Sequence, residues 1–174
     1  MKDFLADLRH DFQVHKRLAD RAMAQLDDEG FFRRPAAHVN PVALIVKHLA
    51  GNLASRWTHF LTTDGEKSSR DRDGEFVITQ QDTRVSLLAA WERGWKTLFD
   101  TLDSLGESDL EKSVTIRGEK HRVSQALLRG LSHAAYHTGQ ILYLVRLWLP
   151  DSPWLTIPPG QSRKVAAAYL QERK

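Results

Sequence analysis

Residues 124–149 read SQALLRGLSHAAYHTGQILYLVRLWL, and this stretch decides the fold. Apolar residues recur in it at steps of three and four, which predicts one long helix starting from Ser124 as N-cap. Val123 and Leu128 are spaced to staple that start, and Pro150 stops the helix after Leu149. His133 and His137 are four residues apart, so they share a face and lie about 6 Å apart along the axis. Leu127, Gly130, Leu131, Gln140, Ile141 and Leu144 share or border that face. Both imidazoles are therefore expected to point into a helical core.

The rest of the chain supplies partners for that helix. Phe4, Leu8, Phe12, His15, Ala19, Ala22 and Leu26 form a stripe that predicts a first helix from about Asp3 to Leu26. The run Asp27-Asp28-Glu29-Gly30 ends it, and a loop follows through Pro35. A second helix is expected from Asn40 as N-cap, with Pro41 in the first helical position and Val39 stapled to Leu44, running to about Leu61. The polar stretch Thr62 to Glu75 and its flanks are long for a bundle turn and permit a crossover. A third helix is expected over about Asp82 to Ser104, with Leu87, Leu88, Trp91, Trp95, Leu98 and Leu102 on its apolar face. Val114, Ile116 and Val123 mark a short hairpin, with Gly118-Glu119 as its turn and Val114 opposite Val123. Ser162 can cap a short C-terminal helix.

Composition narrows the class. The 174 residues suit one domain, 1–174, with 41% hydrophobic and 27% charged residues, an ordinary globular balance. Lysine and arginine total 25 against 22 acids, spread along the chain without a basic block, so no nucleic-acid partner is expected. The absence of cysteine removes disulfides, thiolate ligands and a cysteine nucleophile. The opening MKDFLADLRHDF reads as an amphipathic helix rather than a signal peptide. The apolar run Ile141 to Leu149 is interrupted by Arg146 and is too short to span a bilayer. A cytoplasmic protein with no membrane partner is the expectation.

The histidine pair invites a metal, but two imidazoles make a weak site, since an open zinc centre takes three protein ligands. His48 is the best third candidate, because Leu44, Asn52 and Ser55 place it on the inward side of the second helix. His59 shares nearly that face, but eleven residues of helix put it about 16 Å away. His15 is a weaker candidate, and His10, His38 and His121 read as surface or loop residues. The competing reading is an unrelated pair of polar positions and a core histidine. Ala134 stands where a zincin motif needs its glutamate, which argues against metalloprotease chemistry. Asp71-Arg72-Asp73-Gly74-Glu75 has its glycine two positions too early for a calcium loop and reads as a solvated loop.

Four segments together resemble the DinB/YfiT-like superfamily of metal-dependent four-helix bundles: Val46-Lys-His-Leu-Ala-Gly-Asn52, Leu61-Thr-Thr-Asp-Gly-Glu-Lys67, Ser113-Val-Thr-Ile-Arg-Gly-Glu119 and Ser132-His-Ala-Ala-Tyr-His-Thr-Gly-Gln-Ile141. The loop and hairpin segments are similar to one branch of unknown function. The resemblance covers nearly the whole chain. It implies an all-α, up-down-down-up four-helix bundle with a short β-hairpin before the fourth helix and a short C-terminal helix. It also implies a zinc or nickel ion on His48, His133 and His137, and often a homodimer. Characterised proteins of this type include S-transferases and isomerases that use a low-molecular-weight thiol.

The expected function is accordingly a divalent-metal enzyme acting on a small-molecule substrate, with thiol-dependent S-transfer as the leading reaction. The alternatives are a metal-dependent hydrolase and a non-catalytic, metal-stabilised bundle for assembly or partner binding. Lacking cysteine, the protein would take its thiol from solution. Arg56, Arg129 and Lys47 are candidates for binding that cosubstrate's carboxylates. Asn52 and Gln140 are candidates for hydrogen bonding to the cofactor ligands or substrate. A water-bonded, helix-interior role for Asn52 and Gln140 is the competing reading.

Overall fold

The computed structural model describes the backbone of residues 2–171 and the side chains of residues 4–168. Its elements are α1 (Lys2–Met23), α2 (Asp28–Phe32), α3 (Val42–Trp57), α4 (Arg84–Ser104), β1 (Ser113–Ile116), β2 (Glu119–Arg122), α5 (Val123–Trp148) and α6 (Ser162–Gln171). The fold is mostly helical, with one two-stranded antiparallel hairpin among the described residues. No described helix is long and apolar enough to cross a membrane. The long helices pack as pairs: α1 lies against α5 and α4, and α3 lies against α4 and α5.

Aromatic residues from three helices fill the space between them. Phe12 of α1 meets Trp57 of α3 and Trp95 of α4 edge-on, each at 6.3 Å between ring centroids. Trp91 packs on Trp95 at 5.4 Å, and its indole N–H donates to Asp20 at 2.8 Å. These four rings are 1% exposed or less, so each contributes a large apolar area to the core. The pair α3–α4 comes close at Gly94, where a Cβ would sit 3.0 Å from the Ala50 carbonyl and 3.1 Å from the Leu53 Cβ.

Element boundaries depart from the sequence expectations where backbone partners override local signals. Helix α1 stops at Met23, and Asp27 caps the separate short helix α2 by accepting the Gly30 N–H at 2.8 Å. That turn buries Phe31 completely, in a segment expected to be loop. Helix α3 starts one residue late, with Pro41 rather than Asn40 at the cap, and Val39 remains 44% exposed instead of stapling the start. It ends at Trp57 rather than Leu61, because the backbone turns extended at Thr58, with ψ 124°, and His59 after it takes a positive φ of 49°. Helix α4 starts at Arg84 rather than about Asp82, and Thr83 caps it through a reciprocal pair of bonds with Ser86.

The hairpin is also shifted. Val114 faces His121 and Ile116 faces Glu119, so Arg117-Gly118 form the turn and Val123 belongs to α5. Both turn residues have positive φ, 55° and 77°, as a type I′ turn requires. The Asp64 carboxylate holds the turn by accepting the Arg117 and Gly118 N–H groups at 2.8 and 2.9 Å. Ser124 does not cap α5. Its N–H donates to Leu110 and that of Val123 to Lys112, so carbonyls of the preceding segment satisfy the helix start.

Two glycine substitutions separate packing from propensity. Gly94→Val should destabilise by about 1–3 kcal/mol, by forcing α3 and α4 apart. Gly139→Ala, where a Cβ meets nothing within 4 Å on α5, should stabilise by up to about 1 kcal/mol. Urea denaturation of both variants checks the pair.

Candidate metal centre

The pairing of α3 with α5 brings His48 beside His133 and His137. Ring centroids are 5.4 Å apart for His48–His133, 5.0 Å for His48–His137 and 4.6 Å for His133–His137. Each residue offers a ring nitrogen, and these atoms lie within 4.8 Å of one another. Among the described residues no other histidine, aspartate or glutamate joins the group. His48 and His137 are 5% and 7% exposed.

The outer ring nitrogens fix which atoms face inward. His48 Nδ1 lies 2.9 Å from Glu75 Oε2, and His137 Nδ1 lies 2.8 Å from Gln140 Oε1. Both oxygens accept, so each Nδ1 carries the proton and each Nε2 keeps a lone pair. The Nε2 atoms of His48 and His133 are 3.4 Å apart, and the buried His137 Nε2 has no partner. Two nitrogens on one tetrahedral zinc ion, each at about 2.0–2.1 Å, stand about 3.4 Å from one another. The donor set and its spacing therefore fit a divalent ion.

The partner of His48 comes from the link between α3 and α4. A 3-10 turn over Gly74–Phe76 lays Phe76 on the His48 ring at 4.8 Å and buries Glu75. Arg70 grips the Glu75 carboxylate with Nε and Nη2, both at 2.7 Å, and reaches Glu66 with Nη1 at 3.1 Å. Burial works to raise the Glu75 carboxyl, but the bonds from His48 and Arg70 and the Arg70 charge outweigh it and hold it below the ordinary carboxylate range. A Cβ at Gly51 would run into the Glu75 carboxylate, so α3 admits this contact only with glycine there. The stretch Asp71 to Glu75 is thus no simple solvated loop. Glu75 and Arg70 were missed in the sequence, where the one usable signal was an isolated aromatic, Phe76, beside an acid inside a polar link.

Two cavities meet at the histidines and share His48, Arg72 and Tyr136 in their walls. The larger, about 600 Å³, reaches His137 and Gln140 and is walled by apolar groups such as Ile45, Leu144 and Leu147. His38, expected as a plain loop residue, lines it too. The smaller, about 330 Å³, reaches His133 and contains Asn52, Arg56 and Arg129. Lys47 lines neither cavity. It pairs with Asp82 at 2.8 Å and donates to the Val77 carbonyl, tying the link to α3. His15 and His59 stand outside the cluster, and the His121 side chain, on β2, is 10% exposed and so largely buried rather than at the surface.

A family model described as a protein of unknown function, DUF1572, matches residues 1–161. No curated protein matches the chain.

The protonation states make a prediction about acid. Burial pushes His133 down to about 3, aided by the neighbouring His137, His48, Arg56 and Arg70. Burial pushes His137 down to about 4 against the opposing Gln140 bond. In the unfolded chain both protonate near pH 6.5. The unfolded state therefore binds more protons below that pH, and the metal-free fold should lose stability progressively as pH falls from about 6.5 toward 4. Thermal melts of metal-free protein across that range should show the decline, and His133→Gln should flatten it.

Proposed function

We propose, for a chain that belongs to the DUF1572 family of unknown function, a divalent-metal enzyme that transfers a low-molecular-weight thiol. His48, His133 and His137 would hold one zinc or nickel ion. The observation that carries this reading is the convergence of three ring nitrogens, with the Nδ1 atoms of His48 and His137 committed to Glu75 and Gln140. Such outer bonds orient imidazole ligands and raise their basicity. The likeness to DinB/YfiT-like proteins supports the same ligand set. The pairing of α1 with α5 and of α3 with α4 supports the up-down-down-up four-helix bundle of that superfamily.

A divalent ion bound there supplies Lewis acidity, which lowers the pKa of a thiol at its open position and favours thiolate at neutral pH. The chain's own residues prepare the place. Burial keeps His133 and His137 neutral and available as ligands. The apolar wall of the larger cavity, with Ile45, Leu144 and Leu147, suits an electrophilic co-reactant and limits water. The absence of cysteine requires that the thiol arrive from outside. A three-residue group open to cavities favours catalysis over a closed structural site, which would use a fourth protein ligand.

Elemental analysis should find about one ion per chain, since one three-ligand group can hold one ion. His137→Ala should lose most of it, and Glu75→Gln should weaken metal affinity about 10–100-fold. Holo protein should accelerate attack of a small thiol on an electrophile, whereas metal-free protein and His48→Ala should not. Metal that raises the melting temperature without turnover across a panel of thiols and electrophiles would instead support the structural bundle. Ester or amide cleavage without thiol would support the hydrolase.

A further inference from the structure

The smaller cavity is lined by Arg56, Arg70, Arg72, Arg117 and Arg129, together with Asn52 and Ser132, and no carboxylate forms part of its wall. Two of these guanidiniums are already engaged: Arg70 by Glu75 and Glu66, and Arg117 by Glu66 at 3.3 Å. Arg72 lies over the Phe76 ring at 5.5 Å. Arg56 differs from all of them. It is 6% exposed, its Nε is buried without a partner, and the surrounding ion pairs pass it by. A buried charge without a counter-ion is costly and persists only where something is gained.

The local structure holds Arg56 in that position. Its stem packs against Gly65, where a Cβ would come 2.9 Å from the arginine Cδ. Gly65 is fixed in turn by its N–H bond to Thr115 of β1 at 2.7 Å and by the Ser55 hydroxyl on its carbonyl at 3.1 Å. Burial pushes the Arg56 guanidinium down to about 10, with the Arg129 charge adding to the effect and the more distant, unbonded Glu66 charge opposing it, so it remains a cation at neutral pH. Gly65 and β1 thus back the Arg56 stem, and Arg56 with Arg117 of the hairpin turn lines a preformed cationic chamber that adjoins His133.

We propose that this chamber is an oxyanion site that takes the doubly charged end of a small-molecule substrate, a phosphate monoester or a dicarboxylate, with Arg56 as its anchor. Arg129 and Arg72 complete the charge balance from the rim, and Asn52 and Ser132 add neutral hydrogen bonds. Guanidinium forks match both oxyanions. The site deepens the enzyme reading by giving the substrate's charged end, with the reacting end at the histidines. Anion binding itself does not need the metal, so the two readings fail separately.

The test uses metal-free full-length protein at pH 7.5, with inorganic phosphate and succinate as probes and chloride at matched ionic strength as control. At least one probe should give a saturable calorimetric isotherm and raise the melting temperature beyond chloride. Preference for phosphate assigns a phosphate ester, and preference for succinate a dicarboxylate. Arg56→Met should melt higher than the wild type when no anion is present, yet bind the preferred probe about tenfold more weakly or worse. That opposition distinguishes a binding residue from a structural one. Arg129→Gln, changed at an exposed position, should weaken binding without lowering the melting temperature. Full affinity in Arg56→Met, or in Arg129→Gln should the first variant not fold, overturns the proposal. So does a result in which neither probe acts better than chloride.

Discussion

The hydrogen bond between Glu75 and His48 is the constraint on which the site depends. It joins a helix to a link that has no long regular structure of its own. Glu75 is buried, so its carboxylate must be matched, and His48 Nδ1 and the Arg70 fork do so together. The same bond sets the tautomer that turns His48 Nε2 toward the other two imidazoles. Removing one partner of such a buried charged group costs about 3–5 kcal/mol in comparable cases, because the other is left uncompensated. The link between α3 and α4 is therefore held by the site as much as the site is held by the link.

The electrostatics around this point are graded. Burial keeps His133 and His137 neutral, and at His133 the neighbouring Arg56 and Arg70 charges add to the effect. Arg70 is absorbed by Glu66 and Glu75, while Arg56, Arg72 and Arg129 have no carboxylate partner among the described residues. Neutral ligands leave a bound divalent ion its full charge, and the neighbouring guanidiniums add to the positive field. Such a field attracts anions and repels cations. The larger cavity on the His137 side is more apolar, so the two sides of the cluster suit reactants of different polarity.

The helical frame serves this arrangement by rigidity. Phe12, Trp57, Trp91 and Trp95 occupy the centre between α1, α3 and α4, and Gly94 lets α3 and α4 approach closely. His48 is thereby anchored on a helix that has little freedom to shift against its neighbours. His133 and His137 sit one turn apart on α5, whose start is fixed by the Lys112 and Leu110 carbonyls. Sites on packed helices hold ligand geometry more tightly than sites on loops.

Much of the long-helix pattern and the inward faces of the three histidines were legible in the sequence, because both follow from local periodicity, while it is the resemblance to DinB/YfiT-like proteins that implies the three as one ligand set. A 3.6-residue repeat puts His133 and His137 on one apolar face, and the same repeat turns His48 inward. Boundaries were less legible. Asp27 and Pro41 act as caps according to backbone geometry, and the hairpin register follows the Arg117-Gly118 turn, which Asp64 holds from a distant loop. What only the tertiary structure decided is the company the histidines keep. Glu75 lies 27 residues from His48 and Arg70 pairs with it across a turn, contacts that no helical period encodes. The sequence offers Arg56, with Arg129 and Lys47, only as a cation for a cosubstrate's carboxylates, and it is the packing of the Gly65 loop against it that leaves its Nε buried without a partner. Periodicity along a helix specifies which face a residue shares, whereas burial and charge balance depend on segments distant in the chain, which meet only when the chain folds.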